Sequence, residues 1–264
     1  MTLQLNATHI RLRPHAAGRK QKTYDNDQSI HGANLRRIYQ LSIVNYQFLL
    51  TFAGKKIEDM KIFAVGMNYI QHNKELDGAL YKPEKPVIFT KADSALLKDH
   101  KPFFIPDWSE QVDYETELVV RICRLGKSIP ERFAHRYYDA VTVGIDFTAR
   151  DMQREAREKG LPWELCKGFD GSAVIGDWQP IDNYRDIQAL HFHLDINGKT
   201  VQEGCSSDML YRVDELVSYI SQFFTLKTGD LLYTGTPVGV GPVKIDDHIE
   251  GWLEDRKVLE FNCK

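Results

Sequence analysis

The stretch Val112-Asp113-Tyr114-Glu115-Thr116-Glu117-Leu118-Val119-Val120 governs how the rest of the chain is read. It is rich in β-branched and aromatic residues, which predicts a strand. On a strand, residues i and i+2 share a face. Glu115 and Glu117 therefore stand side by side, opposite Tyr114, Thr116 and Leu118. Val119 continues their face, so the pair is expected at the edge of a buried region. Adjacent carboxylates repel unless positive charge lies between them. A hard divalent cation such as Mg²⁺ or Mn²⁺, which prefers oxygen ligands, meets that need. A solvent-facing strand whose glutamates pair with lysines would explain the same nine residues.

A third carboxylate shifts the balance. In Gly144-Ile145-Asp146-Phe147-Thr148-Ala149-Arg150-Asp151, Asp146 closes an apolar strand just before a helix. An acid there is costly without a partner. Asp146 could serve as the helix N-cap, but Thr148 could cap instead and leave Asp146 for a metal. The helix is expected from Ala149 to Lys159, stopped by Gly160 and Pro162. A second helix is expected where Val213, Leu216, Val217, Ile220, Phe223 and Phe224 follow helical spacing and form a core-facing stripe. Further strands are expected at Val87-Ile88-Phe89, Val141 to Phe147, Leu231 to Thr234 and Val258 to Phe261. His191 to Ile196 leads into Asn197-Gly198, a hairpin turn signal. The pattern is a β-rich α/β chain.

Composition bounds the function. The chain has 264 residues, 42% apolar and 27% charged, enough for a substantial core. A net charge of -3 gives no support for nucleic-acid binding. Cys123, Cys166, Cys205 and Cys263 are scattered without a C-x-x-C pair, so reduced thiols in a cytoplasmic protein are expected. No segment reaches the ~18 apolar residues of a membrane helix. Residues 1-60 hold nine basic and four acidic side chains, a net +5 that leaves -8 for the remainder. Residues 8-34 are polar and aperiodic, which predicts disorder. From this we expect residues 1-59 to form an N-terminal extension upstream of a natural start at Met60, and 60-264 to form the catalytic domain. The competing reading makes the extension a subdomain whose apolar part, 39-53, packs on the body.

Five pieces in order carry a resemblance to the fumarylacetoacetate hydrolase family. They are Val65-Gly66-Met67-Asn68-Tyr69 followed by His72 and Glu75; Pro86-Val87-Ile88-Phe89-Thr90-Lys91; Asp113 to Leu118; Asp146 to Gln153; and Gly229-Asp230 with Thr234-Gly235-Thr236-Pro237-Val238-Gly239-Val240-Gly241. The resemblance spans roughly 200 residues from Met60. It implies a β-rich mixed α/β roll with a few peripheral helices, a homodimer, and Mg²⁺ or Mn²⁺ bound by Glu115, Glu117 and Asp146. Lys159 to Lys167 resembles the branch of acylpyruvases and oxaloacetate decarboxylases, in which the lysine at Lys167 contacts substrate near the metal.

A small 2-oxo acid would place its carboxylate and keto oxygen at such a site. Cleavage of a C-C bond at C3 sends electrons towards the keto oxygen, where positive charge stabilises the developing enolate. Lys167 and Lys91 would add charge, Arg150 and Gln153 would hold substrate or ligands, and the Thr236 hydroxyl would donate to the substrate carboxylate. His72 and Glu75 fit a base and its orienter, three residues apart on a helix, although a surface histidine among Gln71, Asn73 and Lys74 is equally plain from the residues alone. Residues 72-85 are expected to form a lid. Acylpyruvate hydrolysis, oxaloacetate decarboxylation and keto-enol tautomerisation can share this chemistry. Isomerisation of 2-hydroxyhepta-2,4-diene-1,7-dioate and non-catalytic metal or ligand binding are the alternatives. His191 and His193 share a strand face but lack an evident third ligand, Asp246-Asp247-His248 reads as a loop, and Cys166 reads as packing.

Overall fold

The computed structural model describes residues 60-77 and 82-264. Expectations for residues 1-59, including the apolar stretch at 39-53, and for residues 78-81 of the expected lid lie outside them. In chain order the elements are β1 (Ile62–Gly66), α1 (Ile70–Asp77), β2 (Val87–Lys91), β3 (Leu96–Leu97), β4 (Val112–Tyr114), β5 (Thr116–Ile122), β6 (Tyr138–Asp146), β7 (Thr148–Ala149), α2 (Arg150–Lys159), α3 (Glu164–Lys167), β8 (Ala173–Ile175), β9 (Gln179–Pro180), β10 (His191–Ile196), β11 (Lys199–Cys205), α4 (Val213–Phe223), β12 (Leu231–Tyr233), β13 (Gly241–Pro242), β14 (His248–Leu253) and β15 (Arg256–Asn262). Short 3₁₀ helices of three to six residues connect some of them.

The largest sheet runs in the order β2-β1-β12-β5-β6-β8-β3, with β9 on β6. It is mixed, since β1 pairs with β12 in parallel and β5 with β6 antiparallel. Its central strands are buried on both faces, which is why Ile62 to Val65 and Leu118 to Val120 read as unbroken apolar runs. A four-stranded sheet, β11-β10-β14-β15, lies against it. Leu253 and Val258 of that sheet join Leu118, Val120, Val141 and Val143 in one core cluster. A small sheet, β13-β4-β7, completes the β-rich mixed roll, and the helices are peripheral to it.

The segment 112-120 is not one strand. β4 belongs to the small sheet and β5 to the large one, and Glu115 sits at the switch between them. The change is local, because the Glu115 carbonyl still accepts from the Asp146 amide at 2.8 Å. The α4 stripe also departs from expectation. Val213, Leu216, Val217 and Ile220 are buried, but Phe223 is 60% exposed and Phe224 39%. Phe223 is the last residue of the helix, and Phe224, just past it, packs its ring 5.2 Å from that of Phe63 on β1 while its outer side stays open. The Asn197-Gly198 turn does join paired strands, β10 and β11, with positive φ at both residues.

Candidate metal and active site

Three elements deliver the acids. Glu115 lies at the β4-β5 switch, Glu117 on β5 and Asp146 at the end of β6. Each side chain is nearly inaccessible, and one oxygen of each lies within 4.8 Å of the others. Oxygens around one Mg²⁺ are about 3–4 Å apart, so small side-chain rotations bring the three onto one ion.

The capping question of β6 is settled by hydrogen bonds. Helix α2 starts after Ala149 with no side-chain cap. Thr148 donates its hydroxyl to the Asp146 carbonyl at 3.1 Å and so does not cap the helix. Asp146 faces inward instead. Gly160 ends α2 in the left-handed conformation, as expected of a C-cap.

Cations brace the acids. Lys167, placed by the single turn of α3, donates to Glu115 Oε2 at 2.7 Å and Asp146 Oδ2 at 2.8 Å. Arg150, the first residue of α2, donates Nη2 to Glu115 Oε1 at 2.7 Å, Nε to Asp113 Oδ2 at 2.8 Å and Nη1 to Gln153 Oε1 at 2.6 Å. This guanidinium fork is an orienting device for the ligands. Lys91 Nζ lies 2.5 Å from Asp146 Oδ1. It also donates to the Lys167 carbonyl and to Ser172 O and Oγ at 3.1 and 3.0 Å. Lys91 thus stands behind Asp146 and does not line the cleft. Both Asp146 oxygens are therefore held by ammonium groups, Oδ1 by Lys91 and Oδ2 by Lys167.

Glu117 differs from its neighbours. It accepts the Gly235 amide at 2.7 Å, and no cation lies within ion-pair distance among the described residues. Burial pushes its carboxyl well above the usual range, and the Asp146 and Glu115 charges add to this. Burial also penalises Glu115, but Lys167 and Arg150 overcome it and hold that carboxyl far below the ordinary value. Burial opposes charge on Lys167, yet Asp146 and Glu115 raise its pKa. Burial lowers that of Lys91 despite Asp146. The donor set fits a hard divalent cation on two grounds: three buried carboxylates converge, and one of them, Glu117, has no cation within ion-pair distance among the described residues.

A small cleft, partly open to solvent, lies over the site. His72, Lys167, Gln153 and Thr236 line it beside Glu115 and Asp146, and Val65, Phe89 and Trp163 supply apolar wall. His72 Nδ1 lies 3.1 Å from Glu75 Oε2 on α1, and the Gly239 amide approaches both Glu75 oxygens at 3.3 Å. Nδ1 thus carries its proton towards Glu75, leaving Nε2 as the basic nitrogen. The Thr236 hydroxyl is already committed: it donates to the Thr116 carbonyl at 2.9 Å and accepts from Gln202 Nε2 at 2.8 Å. The expected donation to substrate is therefore not available to it in this arrangement.

Two residues of the site escaped the sequence reading. Asp113 holds Arg150, and the alternation Asp113-x-Glu115-x-Glu117 is a signal that could have found it. Gln202 ties the Thr116 amide to Thr236 and Pro237. Nothing local in its strand marks it.

Fold and cleft together define a class: a strand-rich α/β enzyme that gathers acids and ammonium groups at the base of a small-molecule cleft. The model for the fumarylacetoacetate (FAA) hydrolase C-terminal domain matches residues 61–264, and the chain belongs to the fumarylacetoacetate hydrolase family. It is 37% identical to a mitochondrial oxaloacetate tautomerase of Mus musculus, over 77% of this chain and 91% of that protein. The Arabidopsis thaliana counterpart is 39% identical over the same shares. Among solved structures, fumarylpyruvate hydrolase from Pseudomonas aeruginosa, in complex with Mn²⁺ and pyruvate, matches with a TM-score of 0.71 and 33% identity. That match covers 77% of this chain and 88% of the other. No helix among the described residues is long and apolar enough to cross a membrane.

Proposed function

We propose that this protein is a Mg²⁺- or Mn²⁺-dependent enzyme that cleaves a C-C bond in a small 2-oxo acid. Acylpyruvate hydrolysis and oxaloacetate decarboxylation are the reactions in view. The observation that carries the reading is the convergence of Glu115, Glu117 and Asp146 beneath a cleft that also presents Lys167 and the His72–Glu75 pair. Glu115, Glu117 and Asp146 would hold the ion, which supplies Lewis-acid polarisation of a keto oxygen.

The chain's own residues do the rest. Lys167 places a buried ammonium where negative charge grows on the substrate oxygens, and the low-polarity surroundings strengthen its effect. Arg150 and Lys91 keep the acids in position. His72 Nε2 takes a proton from water as that water attacks the C4 carbonyl of an acylpyruvate, and Glu75 stabilises the resulting imidazolium. The C3-C4 bond then breaks, its electron pair passes to the 2-oxo end as the enolate of pyruvate, the carboxylic acid departs, and the His72 imidazolium returns its proton to C3. With oxaloacetate, loss of CO₂ generates the same enolate and no water is required.

Keto-enol tautomerisation of oxaloacetate is a second reading, favoured by what the mouse and Arabidopsis relatives are named for. It needs only proton transfer at C3 and the same charge stabilisation. Isomerisation of a hydroxylated dienedioate draws some support from a Mycobacterium marinum 2-hydroxyhepta-2,4-diene-1,7-dioate isomerase structure of 31% identity and TM-score 0.66. A homodimer acting in the cytoplasm belongs to the same proposal, and light scattering after size exclusion tests the assembly.

The deciding experiment is a panel of oxaloacetate, acetylpyruvate and fumarylpyruvate, with ultraviolet spectra and pyruvate release followed in parallel. Release that EDTA stops and Mg²⁺ or Mn²⁺ restores supports cleavage. A spectral change without pyruvate supports tautomerisation or isomerisation. Metal binding without turnover on any substrate contradicts the enzymatic reading.

A further inference from the structure

Helix α2 carries a line of side chains from the buried end of the cleft to its mouth. Arg150, Gln153 and Arg157 stand at i, i+3 and i+7, which is one helix face. Arg150 and Gln153 are buried, and Arg157 is exposed. Gln153 and Arg157 both line the cleft. At 1.5 Å per residue, the backbone of Arg157 lies about 6 Å further along the axis than that of Gln153. The other exposed charged residues of α2 do not line the cleft. Lys159 pairs with Glu155 at 2.5 Å, and Arg154 donates to Gln111 Oε1 at 3.3 Å.

Among the described residues lining the cleft, Lys167 and Arg157 are the two permanent cations. Lys167 is buried against Glu115 and Asp146. The other basic groups of the site are turned to other work. Each nitrogen of the Arg150 guanidinium donates within the protein, and Lys91 stands behind Asp146. Phe89 and Trp163 give the cleft an apolar wall, their rings meeting edge-on at 5.6 Å. The cleft thus offers a cation at its buried end, apolar surface for a carbon chain, and a second cation at its open end. A 2-oxo acid seated with its first carboxylate and keto oxygen at the buried end engages Lys167 alone. A second carboxylate at the far end of the chain meets Arg157, whose planar fork matches a carboxylate with two parallel hydrogen bonds. A terminal methyl group makes no such pair.

We infer that Arg157 selects dicarboxylic 2-oxo acids over monocarboxylic ones by binding the carboxylate furthest from the keto group. The inference rests on the reading of the cleft as a 2-oxo acid site. It favours fumarylpyruvate and oxaloacetate, and sets acetylpyruvate, which ends in a methyl group, behind them.

The test is calorimetric titration of the full chain with Mn²⁺ present. It compares 2-oxoglutarate with 2-oxopentanoate, and 2-oxoadipate with 2-oxohexanoate. Within each pair the carbon count is equal and only the far carboxylate differs. None of the four carries the 4-oxo group or the carboxylate on C3 that cleavage requires, so binding is read without turnover. The unaltered chain should bind the diacid about tenfold more tightly in at least one pair, the ordinary worth of hydrogen bonds between charged groups. Arg157→Gln should erase that preference. Arg157→Lys, which keeps the charge but loses the fork, should retain part of it. Arg157 is exposed near the end of α2, so both changes spare the core, and thermal melts of each variant check this. Equal affinities within both pairs, or a preference that survives in Arg157→Gln, would overturn the role of Arg157 while the 2-oxo acid reading stands. If none of the four acids binds, that reading fails and the inference fails with it.

Discussion

At the residue scale, Glu117 is the most informative side chain. It is buried, its carboxyl is pushed up, and the Gly235 amide is its hydrogen-bond donor. A buried acid so placed is a cost to folding that a neutral isostere removes. With metal chelated, Glu117→Gln should stabilise the protein by ~1–3 kcal/mol. Differential scanning calorimetry would register this as a Tm rise of about 2–4 °C for each kcal/mol. His72 offers a second residue-level test. Its basic nitrogen serves the step that needs water, so His72→Gln should slow acetylpyruvate hydrolysis by ~10²–10⁴ and oxaloacetate decarboxylation by less than about tenfold. Parallel pyruvate assays on the two substrates measure the split. Lys91 shows what sequence could not reveal at this scale. Its four acceptors come from Asp146, Lys167 and Ser172, which only the folded chain brings to it.

At the scale of elements, the turn after β12 matters most. Gly235 has φ of 98°, and a Cβ there would stand 2.7 Å from Asn68 Cβ and 3.1 Å from the Val65 carbonyl. The same residue donates its amide to Glu117. Gly235→Ala should therefore displace that carboxylate and weaken Mn²⁺ binding about tenfold or more, by calorimetric titration. Most elements were legible because their signals are local: the Asn197-Gly198 turn, the apolar run from Val258 to Phe261 in β15, and the Gly160 stop of α2. The break at Glu115 was not. Alternation says that Glu115 and Glu117 share a face, but says nothing of a strand that leaves one sheet for another between them. Phe223 and Phe224 were misread for a related reason. Helical spacing marks a stripe without telling how completely its last turn is covered.

At the scale of the whole molecule, the family and the fold rest on five ordered motifs, and the match over residues 61–264 leaves the basic N-terminal segment outside it. A fragment of residues 60-264 should be soluble, should melt cooperatively, and should keep its metal-stimulated pyruvate release. An insoluble or unfolded fragment would assign the extension a structural role. The three acids were legible because charge repulsion between Glu115 and Glu117 demanded a partner and Asp146 closed an apolar strand where an acid is costly, and the resemblance joined the three to one ion. The tie from Gln202 to the Thr116 amide, Thr236 and Pro237 depends on a pairing between distant segments, which no local pattern encodes.

The central claim is that Glu115, Glu117 and Asp146 share one divalent ion. Electron paramagnetic resonance of free Mn²⁺ during titration tests it most directly. The account predicts one bound equivalent per chain in the unaltered protein, and affinity at least about tenfold lower in Glu117→Gln. Equal Mn²⁺ affinity in the two proteins would contradict it.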